Sequence, residues 1–188
     1  MANTSQRLDG RSTEVGPKFR GFLVRFSGYT IFVTGGAGFI GTAVICHLLR
    51  DTEARIVNID KLTYAANLES LAGVAEDSRY AFERQCICEA ESLRKLFEKY
   101  QPDAIMNLAA ESHVDRSIDG PAEFIKTNIV GTFTLLQEGL RHWRSLTPER
   151  RARFRFLHVS TDEVFGSLGS KGLFTEQTAY APNSPYSA

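Results

Sequence analysis

Thr30-Ile31-Phe32-Val33-Thr34-Gly35-Gly36-Ala37-Gly38-Phe39-Ile40-Gly41 is the stretch whose reading decides the fold. An apolar, β-branched run breaks into closely spaced glycines and resumes as an apolar helical pattern, which predicts strand, tight turn and helix. Gly35 lets the chain leave the strand in a conformation that a Cβ would oppose. Gly38 lets backbone N–H groups approach a pyrophosphate, and Gly41 lets the helix pack on the sheet. Phosphates would then lie at the positive end of a helix. Glycine-rich turns join many strands to helices, so the triplet alone leaves dinucleotide binding and a plain connecting turn as alternatives.

The next strand favours the first. Arg55-Ile56-Val57-Asn58-Ile59-Asp60 ends on an acid about 20 residues past Gly41, where a carboxylate accepts both adenine-ribose hydroxyls and repels a 2′-phosphate. NAD is therefore expected rather than NADP. Lys61 works against that preference, because a cation beside Asp60 can accept the phosphate.

A chain of 188 residues, 43% hydrophobic, can bury one sizeable core. Lys plus Arg equals Asp plus Glu at 22 each, so no global charge argues for nucleic acid or an acidic membrane. No apolar run reaches the roughly 20 residues of a membrane span. Cys46, Cys86 and Cys88 are an odd count, and Cys-x-Cys on a predicted strand matches no zinc spacing. Reduced thiols in the cytoplasm, and no metal site, are the expectation.

Residues 1–28 are polar and Arg-containing without periodicity, and read as a flexible extension. Asp9, Glu14 and the lack of an amphipathic pattern or apolar h-region argue against transit and secretory signals. Residues 29–188 then alternate strand and helix. A loop from Lys61 runs into a short helix near Leu71, and a third strand covers Tyr80 to Ile87. A helix follows from Glu89 to Tyr100 with Leu93, Leu96, Phe97 and Tyr100 on one stripe, and Ala104 to Ala110 makes a buried fourth strand. Pro121 opens one long helix through about Trp143, with Phe124, Ile125, Ile129, Phe133, Leu136 and Leu140 inward, and Phe154 to Ser160 is a fifth strand. This is an α/β pattern, a doubly wound parallel sheet of Rossmann-like type with ligand contacts at the strands' carboxyl ends. Arg141, Arg144, Arg150, Arg151, Arg153 and Arg155 fall between a helix end and a strand start, where a solvated loop is expected rather than a nucleic-acid patch.

Three clusters reach the carboxyl edge: Glu111-Ser112-His113, Ser160-Thr161-Asp162-Glu163, and Tyr186. Asp162 and Glu163 are either an acid and base with environments that separate their pKa values, or an acidic turn after a strand. His113 and His158 have no role on this reading, and Tyr186 is either a site residue at that edge or a turn aromatic.

The turn at 34–41 resembles that of the extended short-chain dehydrogenase/reductase family. Within it, Asp60-Lys61-Leu62-Thr63-Tyr64, Asn67 to Leu71, Leu108 to Ser117, Ser160 to Gly166 and Tyr180 to Ala188 are similar to the dTDP-glucose 4,6-dehydratases, with Thr161-Asp162-Glu163 as the discriminating part. That resemblance implies transient C4 oxidation of a nucleotide sugar with NAD, loss of water across C5 and C6, and hydride return to C6. It implies Tyr186 as base at O4, Glu163 as base at C5, Asp162 as acid at the C6 hydroxyl, and Thr161 at O4. It implies NAD contacts from Gly35, Gly38, Phe39, Ile40 and Gly41; from Asp60, Lys61, Leu62 and Thr63; from Cys86 and Ile87; and from Leu108, Ala109, Ala110, Ser112, Thr127 and Tyr186. Sugar contacts fall to Ser112, His113, Arg116 and Thr161, and family members commonly form homodimers through helices of this half. Cys86-Ile87 stands where the family usually carries an Asp for the adenine amine. The family's lysine four residues after Tyr186 and its nucleotide-sugar lobe fall beyond Ala188. The chain is therefore expected to be a carboxyl-terminally truncated, incomplete or inactive form. The alternatives are a non-catalytic NAD-binding or interaction fragment, or another nucleotide-sugar enzyme such as a 4-epimerase.

Overall fold

The computed structural model describes residues 26–188, so the extension read over 1–25 lies outside the described residues. Residues 26–28 form a turn closed by the Tyr29 N–H on the Phe26 carbonyl, with the two rings edge to face at 5.5 Å.

Five parallel strands form one sheet in the order β3-β2-β1-β4-β5. They are β1 (Thr30–Thr34), β2 (Arg55–Asp60), β3 (Tyr80–Arg84), β4 (Ala104–Asn107) and β5 (Arg155–His158). The helices are α1 (Phe39–Asp51), α2 (Ala90–Tyr100), α3 (Val114–Asp119), α4 (Pro121–Phe124), α5 (Thr132–Ser145) and α6 (Pro148–Arg153). Alternation along the strands sends side chains to both faces. Ile31, Val33 and Ile56 pack with Ile45 and Leu49 of α1, whereas Phe32, Val57, Ile59 and Ile105 pack with Leu93, Leu96, Phe97 and Tyr100 of α2 and Leu135 of α5. Each such side chain contributes about 1.5–3 kcal/mol by burial. The order reverses direction beside β1, so a crevice opens at the carboxyl ends of β1 and β4.

The fourth and fifth strands end at Asn107 and His158, so Leu108 to Ala110 and Val159-Ser160 lie beyond them at the carboxyl edge. Three further expectations need correction. β3 ends at Arg84, so Cys86 and Ile87 lie in the turn beyond it and Cys-x-Cys is not on a strand. The helix from Pro121 is not one regular α-helix, because Ile125–Gly131 is π-helical between α4 and α5. Finally, of its supposed inward residues only Phe124 is buried; Ile125, Ile129, Phe133, Leu136 and Leu140 are 40–59% exposed. Small and polar residues face the sheet instead: Thr127, Gly131, Thr134, Gly139 and His142, with Leu135. The reason is close approach, since a Cβ on Gly131 would lie 2.7 Å from Ile87 Cγ1. The helix α6 lies where a solvated loop was expected, although Thr147 caps it and Pro148 opens it, a start signal in the sequence; the short helix α3 was not expected.

Candidate functional site

Gly35 leaves β1 at φ +69°, and a Cβ there would stand 2.8 Å from the backbone of Ala109, just past β4. Only glycine lets the β1 and β4 exits approach this closely. Gly41 packs so tightly over the turn that a Cβ would collide with the Gly35 carbonyl. Asp60 then braces the bend: its Oδ2 accepts the Ala37 N–H at 3.0 Å and its Oδ1 the Leu62 N–H at 2.8 Å. Leu62 is itself left-handed, at φ +60°.

Beside this turn lies a cavity of about 600 Å³, within the usual range for small-molecule sites. Gly35, Gly38, Phe39, Ile40 and Gly41 line its α1 side. Asp60, Lys61 and Thr63 line the β2 side, and Leu108, Ala109, Ala110 and Ser112 the β4 side. Ile87, Thr127, Thr161 and Tyr186 complete the wall among the expected residues. Leu62, Cys86, His113, Arg116, Asp162 and Glu163 are not on it. His113 and Arg116 instead flank the Tyr64 ring, with the guanidinium 4.0 Å from its centroid. Asp162 and Glu163 lie on a 3₁₀ turn (Asp162–Phe165) that begins immediately after Thr161. Thr161 Oγ1 accepts the Glu163 N–H at 3.2 Å, so its own O–H remains free to donate. Tyr186 sits in a turn fixed by buried Ser187, whose N–H donates to the Ser184 carbonyl at 3.2 Å.

Two residues that the sequence reading left without a role organise the rim. Glu111 Oε1 is 3.1 Å from Lys61 Nζ, which also donates to Thr127 Oγ1 at 3.1 Å. Burial disfavours the Lys61 cation, but the hydrogen bond and charge of Glu111 outweigh it and raise the pKa above the ordinary lysine value. Asn128 pins Glu111 by its backbone, accepting from the Glu111 N–H and donating to its carbonyl, both at 2.9 Å. A polar Thr-Asn pair inside an apolar stretch was the available signal. Beneath the cavity Thr34 Oγ1 donates to Asn107 Oδ1 at 2.5 Å, and Asn107 Nδ2 lies 3.0 Å from His158 Nδ1, tying β1, β4 and β5 together.

The donor set fits a dinucleotide. Gly38 caps α1 without a side chain, no acid occupies the first turn, and Phe39 is 96% exposed. Phe39, Ile40 and Gly41 line the cavity, and among the described residues their N–H groups have no backbone partner, with the positive helix end behind them. The arginine run, by contrast, is used internally: Arg150 holds Asp103 at 2.8 Å, Arg151 caps the Arg144 and Leu146 carbonyls, and Arg141 faces Glu138. Among the described residues no helix is long and apolar enough to cross a membrane.

The fold and this crevice define a Rossmann-like α/β domain with a ligand site at the carboxyl edge of the sheet. The model of the family described as GDP-mannose 4,6 dehydratase matches residues 32–188, and the chain belongs to that family. The dTDP-glucose 4,6-dehydratase of Salmonella typhimurium is 56% identical over 167 residues, covering 84% of this chain and 46% of the relative. That of Neisseria gonorrhoeae is 58% identical over 159 residues, at 84% and 46%. Among solved structures, the Streptomyces venezuelae dTDP-glucose 4,6-dehydratase with NAD bound superposes at TM-score 0.74 and 42% identity, covering 84% of this chain and 47% of that one. The chain thus spans a little under half the length of the relatives it matches.

Proposed function

We propose that the chain binds NAD in this crevice and supplies the oxidation and elimination machinery of a dTDP-glucose 4,6-dehydratase, which yields a 4-keto-6-deoxy sugar. One observation carries the reading: the uncapped start of α1, Asp60, Thr161 and Tyr186 open on a single cavity. When bound, NAD supplies the acceptor, and later the donor, of a hydride. The first N–H groups of α1 hold the pyrophosphate. Asp60 accepts the adenine-ribose hydroxyls on lone pairs left over from Ala37 and Leu62. Tyr186 Oη takes the proton from sugar O4, and the Thr161 hydroxyl donates to that oxygen. A ketone at C4 acidifies C5–H, whose proton Glu163 removes while Asp162 protonates the departing C6 hydroxyl. The last two steps need the 3₁₀ turn to bring both acids onto the wall that Thr161 already forms.

Self-association is part of the proposal. Phe133, Leu136 and Leu140 recur at helical spacing as exposed residues of α5, whereas Ile125 and Ile129 line the cavity, and the α5 stripe is suited to pairing with its own copy. A cytoplasmic setting is supported by three unpaired cysteines.

Calorimetric titration of the chain with NAD, beside an assay for the 4-keto-6-deoxy product from dTDP-glucose, tests the reading. Binding with product supports it in full. Binding without product favours the second reading, cofactor binding without turnover by the residues given. No binding overturns both.

A further inference from the structure

We propose that Glu111 sets the preference for NAD over NADP by holding the Lys61 ammonium away from the ribose 2′ position. The inference rests on the dinucleotide reading of the crevice. Lys61 follows Asp60 directly at the end of β2, the place from which a cation can accept a 2′-phosphate. Its ammonium is committed elsewhere, 3.1 Å from Glu111 Oε1 and 3.1 Å from Thr127 Oγ1. The Glu111 side chain is only 12% exposed and that of Lys61 30%, so water competes weakly for the pair. Nor can the carboxylate easily follow a departing lysine, since the two Asn128 bonds fix the Glu111 backbone from the π-helical segment. Asp60 is thereby left as the unneutralised charge facing the ribose, and a phosphate there meets repulsion alone.

Titration calorimetry with NAD and with NADP on wild type, E111Q, K61M and the E111Q/K61M double variant tests this. Glutamine keeps the shape of Glu111 and removes its charge. The Kd ratio of NADP to NAD is expected to fall about tenfold in E111Q, the scale of one charge-assisted hydrogen bond. It should stay at the wild-type value in K61M and return to it in the double variant. A ratio unchanged in E111Q, with NAD binding intact, overturns the inference and leaves the NAD site standing. K61M gives a second check should E111Q fail to fold, because weaker NADP binding by K61M means that Lys61 already reaches the ribose and overturns it too. No NAD binding by the wild type overturns the reading of the crevice and this inference with it.

Discussion

Replacing Asp60 separates the bracing of the glycine turn from the proposed contact with a ribose. In D60A the Ala37 N–H loses its acceptor in a place where Ala37 is 1% exposed, a loss of about 1–3 kcal/mol for an unsatisfied buried donor. The second bond matters less. Leu62 is only partly buried, so its N–H can find water, and release from φ +60° returns part of the roughly 1–2 kcal/mol that a left-handed non-glycine residue costs. The net loss is therefore about 2 kcal/mol, or about 4–8 °C in Tm for a domain of this size. D60N can turn its carbonyl oxygen to Ala37 and should fall within about 1 kcal/mol of wild type. Both variants lose the carboxylate proposed to receive two ribose hydroxyls, and each should bind NAD about tenfold or more weakly. Urea unfolding monitored by circular dichroism, with calorimetric titration of NAD, reads the two effects separately. If D60A is as stable as D60N, the Ala37 bond does not hold the turn and the argument for Asp60 as a brace fails.

Three further outcomes follow from the geometry. G35A forces a Cβ into the left-handed region and against the Ala109 backbone, and should lower the unfolding free energy by about 2–5 kcal/mol, read from the urea midpoint. Burial holds the His142 imidazole below its ordinary pKa, against the opposing pull of the Pro102 carbonyl it donates to at 2.8 Å. The unfolded chain then binds a proton at higher pH than the folded one. His142 stability is complete above the unfolded value near 6.5 and is lost as pH falls from there through the lower folded value, so Tm should drop below pH 6.5 by less in H142F than in wild type. F133E places a charge on the exposed stripe and should abolish self-association in sedimentation velocity while shifting stability by no more than about 0.5 kcal/mol; a dimer that persists moves the interface elsewhere.

The sheet was legible because its signals are local. β-Branched runs ending in glycine or an acid give β1 and β2 at their observed bounds, and the Leu93-Leu96-Phe97-Tyr100 stripe gives the buried face of α2. The helix after Pro121 was misread for a physical reason. Its apolar residues have helical spacing, but spacing alone does not say which face meets the sheet. That is settled by Gly131 and Gly139, which admit Ile87, Ile105 and Phe156, and by His142 finding the Pro102 carbonyl. Cys86 and Ile87 were assigned to β3 because their apolar character continues beyond the last paired residue, Arg84.

The rim of the crevice was illegible for a different reason: its partners come from segments far apart in sequence. Lys61 beside Asp60 reads as an argument against NAD as long as its ammonium is free to move. The fold brings Glu111 and Thr127 to that ammonium from 50 and 66 positions away, and the sign of the argument reverses. A motif therefore names the groups at a site, while the charge each presents to a ligand depends on what the topology sets beside it. Here the π-helical segment decides that. It carries Thr127 and Asn128 in succession, so one residue meets the lysine and the next fixes the backbone of the glutamate that holds it. A regular α-helix through 125–131 would change the angular step between these two side chains, so the local irregularity sets the directions in which Thr127 and Asn128 point.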